Sequence, residues 1–144
     1  MELFTVFLPL FGALCAGLLV FVRSSTTSTP NRIDTAAQWV TSGAMILAAV
    51  AAGVVFWDVV LGNNPRTVEL FTWIDSGAME VSWAIKLDTL SSVMLFMVTT
   101  VAAVIHVYSI GYMHHDHSVP RFMSYLSLFT FFMLMLVTSD NLVQ

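Results

Sequence analysis

The sequence has little charge and a single cysteine. Its 144 residues include five Lys or Arg and nine Asp or Glu, so that 10% are charged, whereas a soluble domain has about a quarter. The few bases are scattered, which argues against a basic surface for nucleic acid. Cys15 cannot form an intrachain disulfide, and its apolar neighbours make it a small hydrophobic residue. The scarcity of charge indicates a chain embedded in lipid.

Long apolar runs make up most of the chain, of which 58% is hydrophobic. Four runs approach or exceed the roughly 20 residues that cross a bilayer, and they span residues 3–22, 39–61, 88–112 and 120–140. The first run could instead be a secretory signal, but a signal begins with bases and only Glu2 precedes this run. Trp39 and Trp57 are separated by about 27 Å of helix, the distance between two interfacial aromatic belts. We therefore expect four transmembrane helices in contact with the lipid bilayer.

The segment between the second and third runs has a different pattern. In VELFTWIDSGAMEVSWAIKLD, residues 68–88, polar and apolar side chains alternate around a Ser-Gly pair. Alternation with a short glycine-containing loop is typical of a β-hairpin. The fold class predicted is therefore all-α transmembrane, with an extramembrane β-hairpin between helices 2 and 3. An irregular interfacial loop remains the alternative.

All four histidines lie in or after the third run, at positions 106, 114, 115 and 117. His106 follows Asp88 by eighteen residues, about 27 Å along a helix, which predicts a position near the opposite interface. There it would join an aromatic belt with Tyr108 and Tyr112. The second interpretation of His106 is a role in proton transfer. The other three histidines are too close in sequence to converge on a metal as i, i+4 pairs do. We predict no metal site and a polar turn.

The charges at the ends of the third and fourth runs have structural explanations. Asp88 can cap the third helix, and Lys86 can extend to the lipid headgroups. Asp140 is less favourable, because a carboxylate at a helix C-terminus opposes the helix dipole. Either the helix ends at Asn141, or Asp140 has a partner elsewhere. The loops on one side of the membrane hold three bases and those on the other side hold two, and the side with more bases is expected to be inside. This difference favours an outside N-terminus and an outside hairpin.

Three ordered motifs resemble a known family. They are IKLDTLSSVMLFMV, HVYSIGYM and RFMSYLSLFTFFMLMLVTSDNL, and they are similar to the N-terminal region of chain 5 of respiratory complex I, in the antiporter-like superfamily. The resemblance covers the whole chain. Residues 1–66 correspond to two helices and a loop, and residues 67–144 correspond to the region specific to chain 5. It implies a fragment of a larger multi-helix subunit, ending before the family's proton-translocating core.

The resemblance implies a role in proton translocation coupled to electron transfer from NADH to quinone. The subunit would be a non-redox part of the enzyme, located in the bacterial inner membrane or the mitochondrial inner membrane and bound to other membrane-arm subunits. NADH, FMN, iron-sulfur clusters and quinone would be held by partner subunits, since the chain has no CxxC set or phosphate-binding loop. Candidate proton-path or structural charges are Asp88, His106, Arg121, Asp140 and Lys86.

Two other functions remain open at this stage. One is the large subunit of a multisubunit sodium/proton antiporter, or a membrane partner in inorganic-carbon uptake, since such relatives share helices three and four. The other is a truncated, non-transporting membrane scaffold whose four helices pack with partners. Neighbouring genes, and the reading frame after Gln144, would distinguish these possibilities.

Overall fold

The structure is a computed structural model that describes residues 2–25, 30–112 and 119–140. Its helices are α1 (Glu2–Ser25), α2 (Pro30–Phe56), α3 (Thr89–Tyr112) and α4 (Val119–Thr138). The segments long and apolar enough to cross a membrane are Glu2–Val22, Asp34–Leu61, Thr89–Tyr112 and Val119–Thr138. The four predicted membrane helices are confirmed, and the chain is a multi-pass membrane protein.

Helix α2 is longer than its apolar run. It begins at Pro30, nine residues before Trp39. Proline is favoured in the first helical turn, and the polar segment after it is also helical. Hydropathy detects only the part in lipid, so the polar extension was missed. At its other end α2 continues as a π-helical turn, Trp57–Leu61, where Gly62 N–H donates to the Trp57 carbonyl at 3.3 Å.

The helices form a bundle with α2 and α4 in contact at its centre. Helix α1 packs against both of them, and so does α3. Small residues allow close approach: a Cβ added at Gly12 would lie 3.3 Å from the Ala44 Cβ. Close packing at small residues is a common way for helices to associate in lipid, where the hydrophobic effect between helices is weak. The outward-facing side chains are largely apolar, among them Phe4, Phe11 and Phe129.

The predicted hairpin is confirmed. Strands β1 (Arg66–Ser76) and β2 (Met79–Leu87) are antiparallel and are joined by a two-residue turn at Gly77 and Ala78. Gly77 has φ +64°, a conformation that glycine adopts without steric cost. Register shifts between Glu69 and Phe71, and between Thr72 and Ile74, interrupt the simple alternation that the sequence predicted.

Strand β2 fixes the hairpin to one end of the bundle. Ile85 and Leu87 are buried in a core cluster with side chains from all four helices: Val6, Ala52, Val55, Val59, Leu95, Leu134 and Met135. The backbone of Ile85 also forms a β-bridge with Ser139, just after α4. Strand β1 is largely exposed. The hairpin therefore covers the end of the bundle where α1 and α3 begin and where α2 and α4 end.

Candidate functional site

Charged side chains converge at the base of the hairpin. Arg66, the first residue of β1, pairs with Glu2 of α1 at 3.2 Å and with Asp58 of the π-helical turn. Lys86, near the end of β2, has its Nζ 3.6 Å from Asp140 Oδ1. Together with Asp88, which precedes α3, these residues form the charged collar: Glu2, Asp58, Arg66, Lys86, Asp88 and Asp140. The collar contacts one end of every helix in the bundle.

Asp88 caps α3 as predicted. Its Oδ1 accepts the Ser91 backbone N–H at 2.7 Å, the bond expected between the residue before a helix and its third residue. This bond, together with the Ser91 hydroxyl and the positive charge of Lys86, lowers the pKa of the Asp88 carboxyl, although partial burial opposes the shift. The carboxylate is therefore held in its charged form at the positive end of the helix dipole.

Lys86 and Asp140 are paired with each other. Lys86 was predicted to extend to the lipid headgroups, and its side chain, which pairs with Asp140, is about half exposed. The same contact supplies a partner for Asp140 within this chain, and α4 has already ended at Thr138. Lys86 and Asp140 meet because the hairpin brings the end of β2 beside the end of α4. Asn141 lies outside the described residues.

His106 is also placed differently from the expectation of an interfacial residue in an aromatic belt. Its side chain is fully buried, whereas Tyr108 and Tyr112 are exposed. It lies six residues before Tyr112, about 9 Å of helix inside the end of α3, and it faces the bundle. Counting residues along a helix gives the depth of a side chain but not the face of the helix on which it lies, so the burial of His106 was not predicted. The spacing of seven residues between Ser92, Thr99 and His106, all buried on one face, was the available signal.

Both nitrogens of His106 have hydrogen-bond partners. Nδ1 is 2.7 Å from the Ala102 carbonyl oxygen, and Nε2 is 3.0 Å from Ser127 Oγ on α4. A carbonyl can only accept, so Nδ1 carries the hydrogen. In the neutral ring, Nε2 then accepts a hydrogen bond from the Ser127 hydroxyl. The pair is a side-chain hydrogen bond between α3 and α4 in the interior of the bundle.

Two other buried hydroxyls, one on α3 and one on α4, bond to carbonyl oxygens of their own helices. Thr99 Oγ1 donates to the Leu95 carbonyl at 2.7 Å, and Thr130 Oγ1 donates to the Leu126 carbonyl at 2.9 Å. Such bonds satisfy the hydroxyl without linking two helices. Ser127 was not among the residues singled out from the sequence, because its role depends on facing His106.

The remaining predicted residues are separated from these groups. Arg121 is exposed in the first turn of α4, at the end of the bundle opposite the collar. Thus Lys86, Asp88 and Asp140 come together, while His106 and Arg121 do not join them. Sequence reasoning missed Glu2, Asp58 and Arg66 as members of the collar, since Arg66 and Glu2 are 64 residues apart in the chain.

The chain has few groups able to hold a metal or redox cofactor. Among the described side chains, no group of three His, Cys, Asp or Glu could hold a metal ion, and one cysteine cannot supply the ligand set of an iron-sulfur cluster. His114, His115 and His117 lie outside the described residues, so the absence of a metal there stays a prediction. The residues present do not fit an iron-sulfur cluster.

Comparisons with known proteins agree with the motifs. Residues 73–123 match the family described as NADH-Ubiquinone oxidoreductase (complex I), chain 5 N-terminus. The whole chain is 41% identical to NADH-quinone oxidoreductase subunit L of Rickettsia felis, over 21% of that protein. It is 43% identical to NADH-ubiquinone oxidoreductase chain 5 of Chondrus crispus, again over the whole chain and over 20% of that relative.

Along its whole length the chain is similar to proteins named NADH-quinone oxidoreductase subunit L or NADH-ubiquinone oxidoreductase chain 5. A further relative, subunit L of Rhodobacter capsulatus, is 49% identical over 73% of the chain and 15% of the relative. The chain therefore spans about a fifth of the length of the curated relatives it matches. The matched family region runs from β1 through α3 and into α4, so it includes Lys86, Asp88, His106 and Arg121.

Proposed function

We propose that this chain is the N-terminal part of a proton-pumping membrane subunit of NADH-quinone oxidoreductase. The supporting observation is the match of the entire chain to relatives named subunit L or chain 5, at 41% and 43% identity. Proton translocation by the subunit would be coupled to electron transfer from NADH to quinone elsewhere in the complex. The complex I names of these relatives favour this function over that of a separate sodium/proton antiporter.

Within that function, the described region would act chiefly as a scaffold. A proton needs a line of ionisable groups or water to cross hydrocarbon, and the charged side chains described here lie near the two ends of the bundle. His106 is the buried ionisable side chain among the described residues, and Tyr125 faces outward. We infer that residues 1–144 support a path completed by other helices, and that they do not conduct protons alone.

The proposal also assigns partners and location. The subunit would lie in the bacterial inner membrane or the mitochondrial inner membrane, where its apolar outer surface would face lipid or other membrane-arm subunits. One cysteine cannot hold an iron-sulfur cluster and the sequence has no phosphate-binding loop, so iron-sulfur clusters, NADH and FMN would bind to those partner subunits, as would quinone. The chain would thus belong to an enzyme without performing its redox step.

A chromosomal replacement tests the function. The gene is deleted and complemented with the intact gene or with an empty vector, and membrane vesicles are supplied with NADH and quinone. We expect a proton gradient, followed with a pH-sensitive dye, that is larger in vesicles with the intact gene. Equal gradients in the two preparations would refute the proposal. Vesicles containing only residues 1–144 should show the flux of empty vesicles.

A further inference from the structure

We propose that His106 is a proton-relay residue and that Ser127 is the hydroxyl through which its Nε2 exchanges protons. This inference rests on the proposed function, because it assigns residues to the proton path of that subunit. The geometry supporting it is the Nε2 contact with Ser127 Oγ at 3.0 Å, between two helices and away from lipid. The Nδ1 bond to the Ala102 carbonyl leaves Nε2 as the basic atom.

The side chains around His106 and Ser127 limit which groups can exchange protons with this pair. A Cβ added at Gly12 of α1 would lie 3.9 Å from Ser127 Oγ and would also meet Thr41 and Ala44 of α2, and none of these residues is ionisable near neutral pH. Thr41 Oγ1 donates to the Ala37 carbonyl at 2.7 Å and is already satisfied. The other titratable or charged side chains described on the four helices and the π-helical turn are half-buried or exposed, or lie near the helix ends: Glu2, Cys15, Arg32, Asp34, Asp58, Tyr108, Tyr112, Arg121 and Tyr125.

The position of the pair favours access from one side. Ser127 lies eight residues after Val119, about 12 Å of helix from the start of α4, and His106 lies about 9 Å from the end of α3. The distance from His106 back to Thr89, at the collar end, is about 25 Å. We infer that the relay takes its proton from the side opposite the hairpin.

The exchange balances without a further reactant. A hydronium ion gives a proton to Ser127 Oγ, and the proton that this hydroxyl had donated passes to His106 Nε2. An N–H bond forms at Nε2, the hydroxyl is regenerated and one water is released. The imidazolium then has hydrogens on both nitrogens, with Nδ1 still bonded to the Ala102 carbonyl. The reverse transfer to another water restores the neutral ring.

A purely structural role would also explain a buried histidine, since a polar contact between helices stabilises a membrane bundle. Two variants separate the roles. His106→Gln keeps a side chain that can bond to Ser127 but removes the titratable group. The double variant His106→Met with Ser127→Ala replaces both partners with apolar side chains, which leaves no buried polar group without a bond. Thr99→Val is the matched control, because Thr99 is buried on the same face and bonds only within α3.

The variants are introduced into the intact gene and the assembled complex is purified into vesicles. Quinone reduction and proton translocation are measured together from pH 6 to 8. We expect a lower number of protons moved per electron for His106→Gln and for the double variant, with quinone reduction still present. Thr99→Val should retain the wild-type ratio. Ser127→Ala should change the pH profile of translocation, since the ring remains but its exchanging hydroxyl is lost.

The outcomes distinguish this inference from the proposed function. If wild-type complex builds no proton gradient, the proposed function fails and the relay fails with it. If wild type pumps and either His106→Gln or the double variant retains the wild-type ratio across the pH range, only the relay is refuted. Failure of both variants to assemble, while Thr99→Val assembles, would assign His106 a structural role and would also refute the relay.

Discussion

Lys86 Nζ lies 3.6 Å from Asp140 Oδ1, and this contact joins the end of β2 to the segment just after α4. The two residues are about half and one-third exposed in their side chains, so water screens their attraction. The neighbouring β-bridge between Ile85 and Ser139 provides a second link at the same place. The hairpin is therefore attached to α4 by both backbone and side-chain contacts, and the ion pair is the weaker part.

The first prediction concerns this ion pair. A double-mutant cycle with Lys86→Met and Asp140→Asn should give a coupling free energy of about 0.2–1 kcal/mol, the range for exposed pairs. It is obtained from denaturant unfolding of the purified protein in detergent at low salt. The coupling should decrease in high salt because ions screen exposed charges. A coupling well above this range, insensitive to salt, would show that the pair is buried in the folded protein.

A larger effect is expected at Arg66. This guanidinium pairs with both Glu2 and Asp58, so Arg66→Leu would leave two carboxylates without their shared cation. We expect a loss of about 1–2 kcal/mol in unfolding free energy, which is more than for Lys86→Met. Arg66→Lys should recover only part of this loss, because lysine keeps the positive charge but lacks the two-pronged donor geometry of the guanidinium. Arg121→Gln, at the exposed start of α4, is the control and should have little effect. Equal losses for Arg66→Leu and Arg121→Gln would contradict the role of Arg66 in the collar.

Asp88 should give the protein an acid-sensitive stability. Its pKa is lowered in the folded state, mainly by the Ser91 backbone N–H. Its contribution is therefore complete above the unfolded pKa of about 3.9 and is lost as pH falls through the lower folded value. At pH 7, Asp88→Ala should cost about 1 kcal/mol, and Asp88→Asn should cost less because asparagine also caps helices.

Unfolding curves between pH 2.5 and pH 7 measure the Asp88 effect. The difference in stability between wild type and Asp88→Ala should be constant above about pH 5 and should shrink in acid. Asp75, an exposed acid near the tip of the hairpin, provides the control as Asp75→Ala. A wild-type advantage over Asp88→Ala that grows in acid would reverse the assigned direction of the pKa shift.

Close packing of α1 against α2 at Gly12 gives a steric prediction. A side chain at Gly12 would meet Ala44 Cβ at 3.3 Å and the Thr41 backbone at 3.7 Å, whereas a Cβ at Gly43 would have no neighbour within 4 Å among the described atoms. Gly12→Leu should destabilise the bundle by about 1–3 kcal/mol through overpacking. Gly43→Leu, a change of the same kind one helix away, should have a much smaller effect. Leucine forms helices better than glycine, so similar losses in both variants would show that close packing at Gly12 is not the cause.

Membrane topology can be tested by labelling single cysteines in a Cys15→Ala background. The weak bias of bases predicts that the hairpin faces outside, and the Arg66 contact with Glu2 places the N-terminus on the same side as the hairpin. Ser76→Cys should react with an impermeant maleimide in intact cells. Arg32→Cys, exposed near the start of α2, should react only when the cytoplasmic side is opened. Labelling in the opposite order would invert the topology.

The membrane helices and the hairpin could be predicted from the order of residues because each has a local cause. Lipid selects runs of apolar side chains whatever their partners, and the alternation around Gly77 produces paired strands by local contacts. The cap at Asp88 was predictable for the same reason, since the residue and Ser91 are three positions apart. The bulges in β1 were not, because they depend on how two strands fit across the sheet.

The contacts between distant residues depended on the tertiary structure. Whether His106 faces lipid or Ser127 depends on the rotation of α3 against α4. The seven-residue spacing of Ser92, Thr99 and His106 indicates a shared face of α3 but does not specify which side chains that face contacts. Arg66 meets Glu2, and Lys86 meets Asp140, only because β2 packs Ile85 and Leu87 on the end of the bundle. Chain order thus specifies which segments enter the membrane, since that depends on transfer of each segment from water. Helix packing specifies which polar groups meet, since that depends on the relative orientation of whole elements.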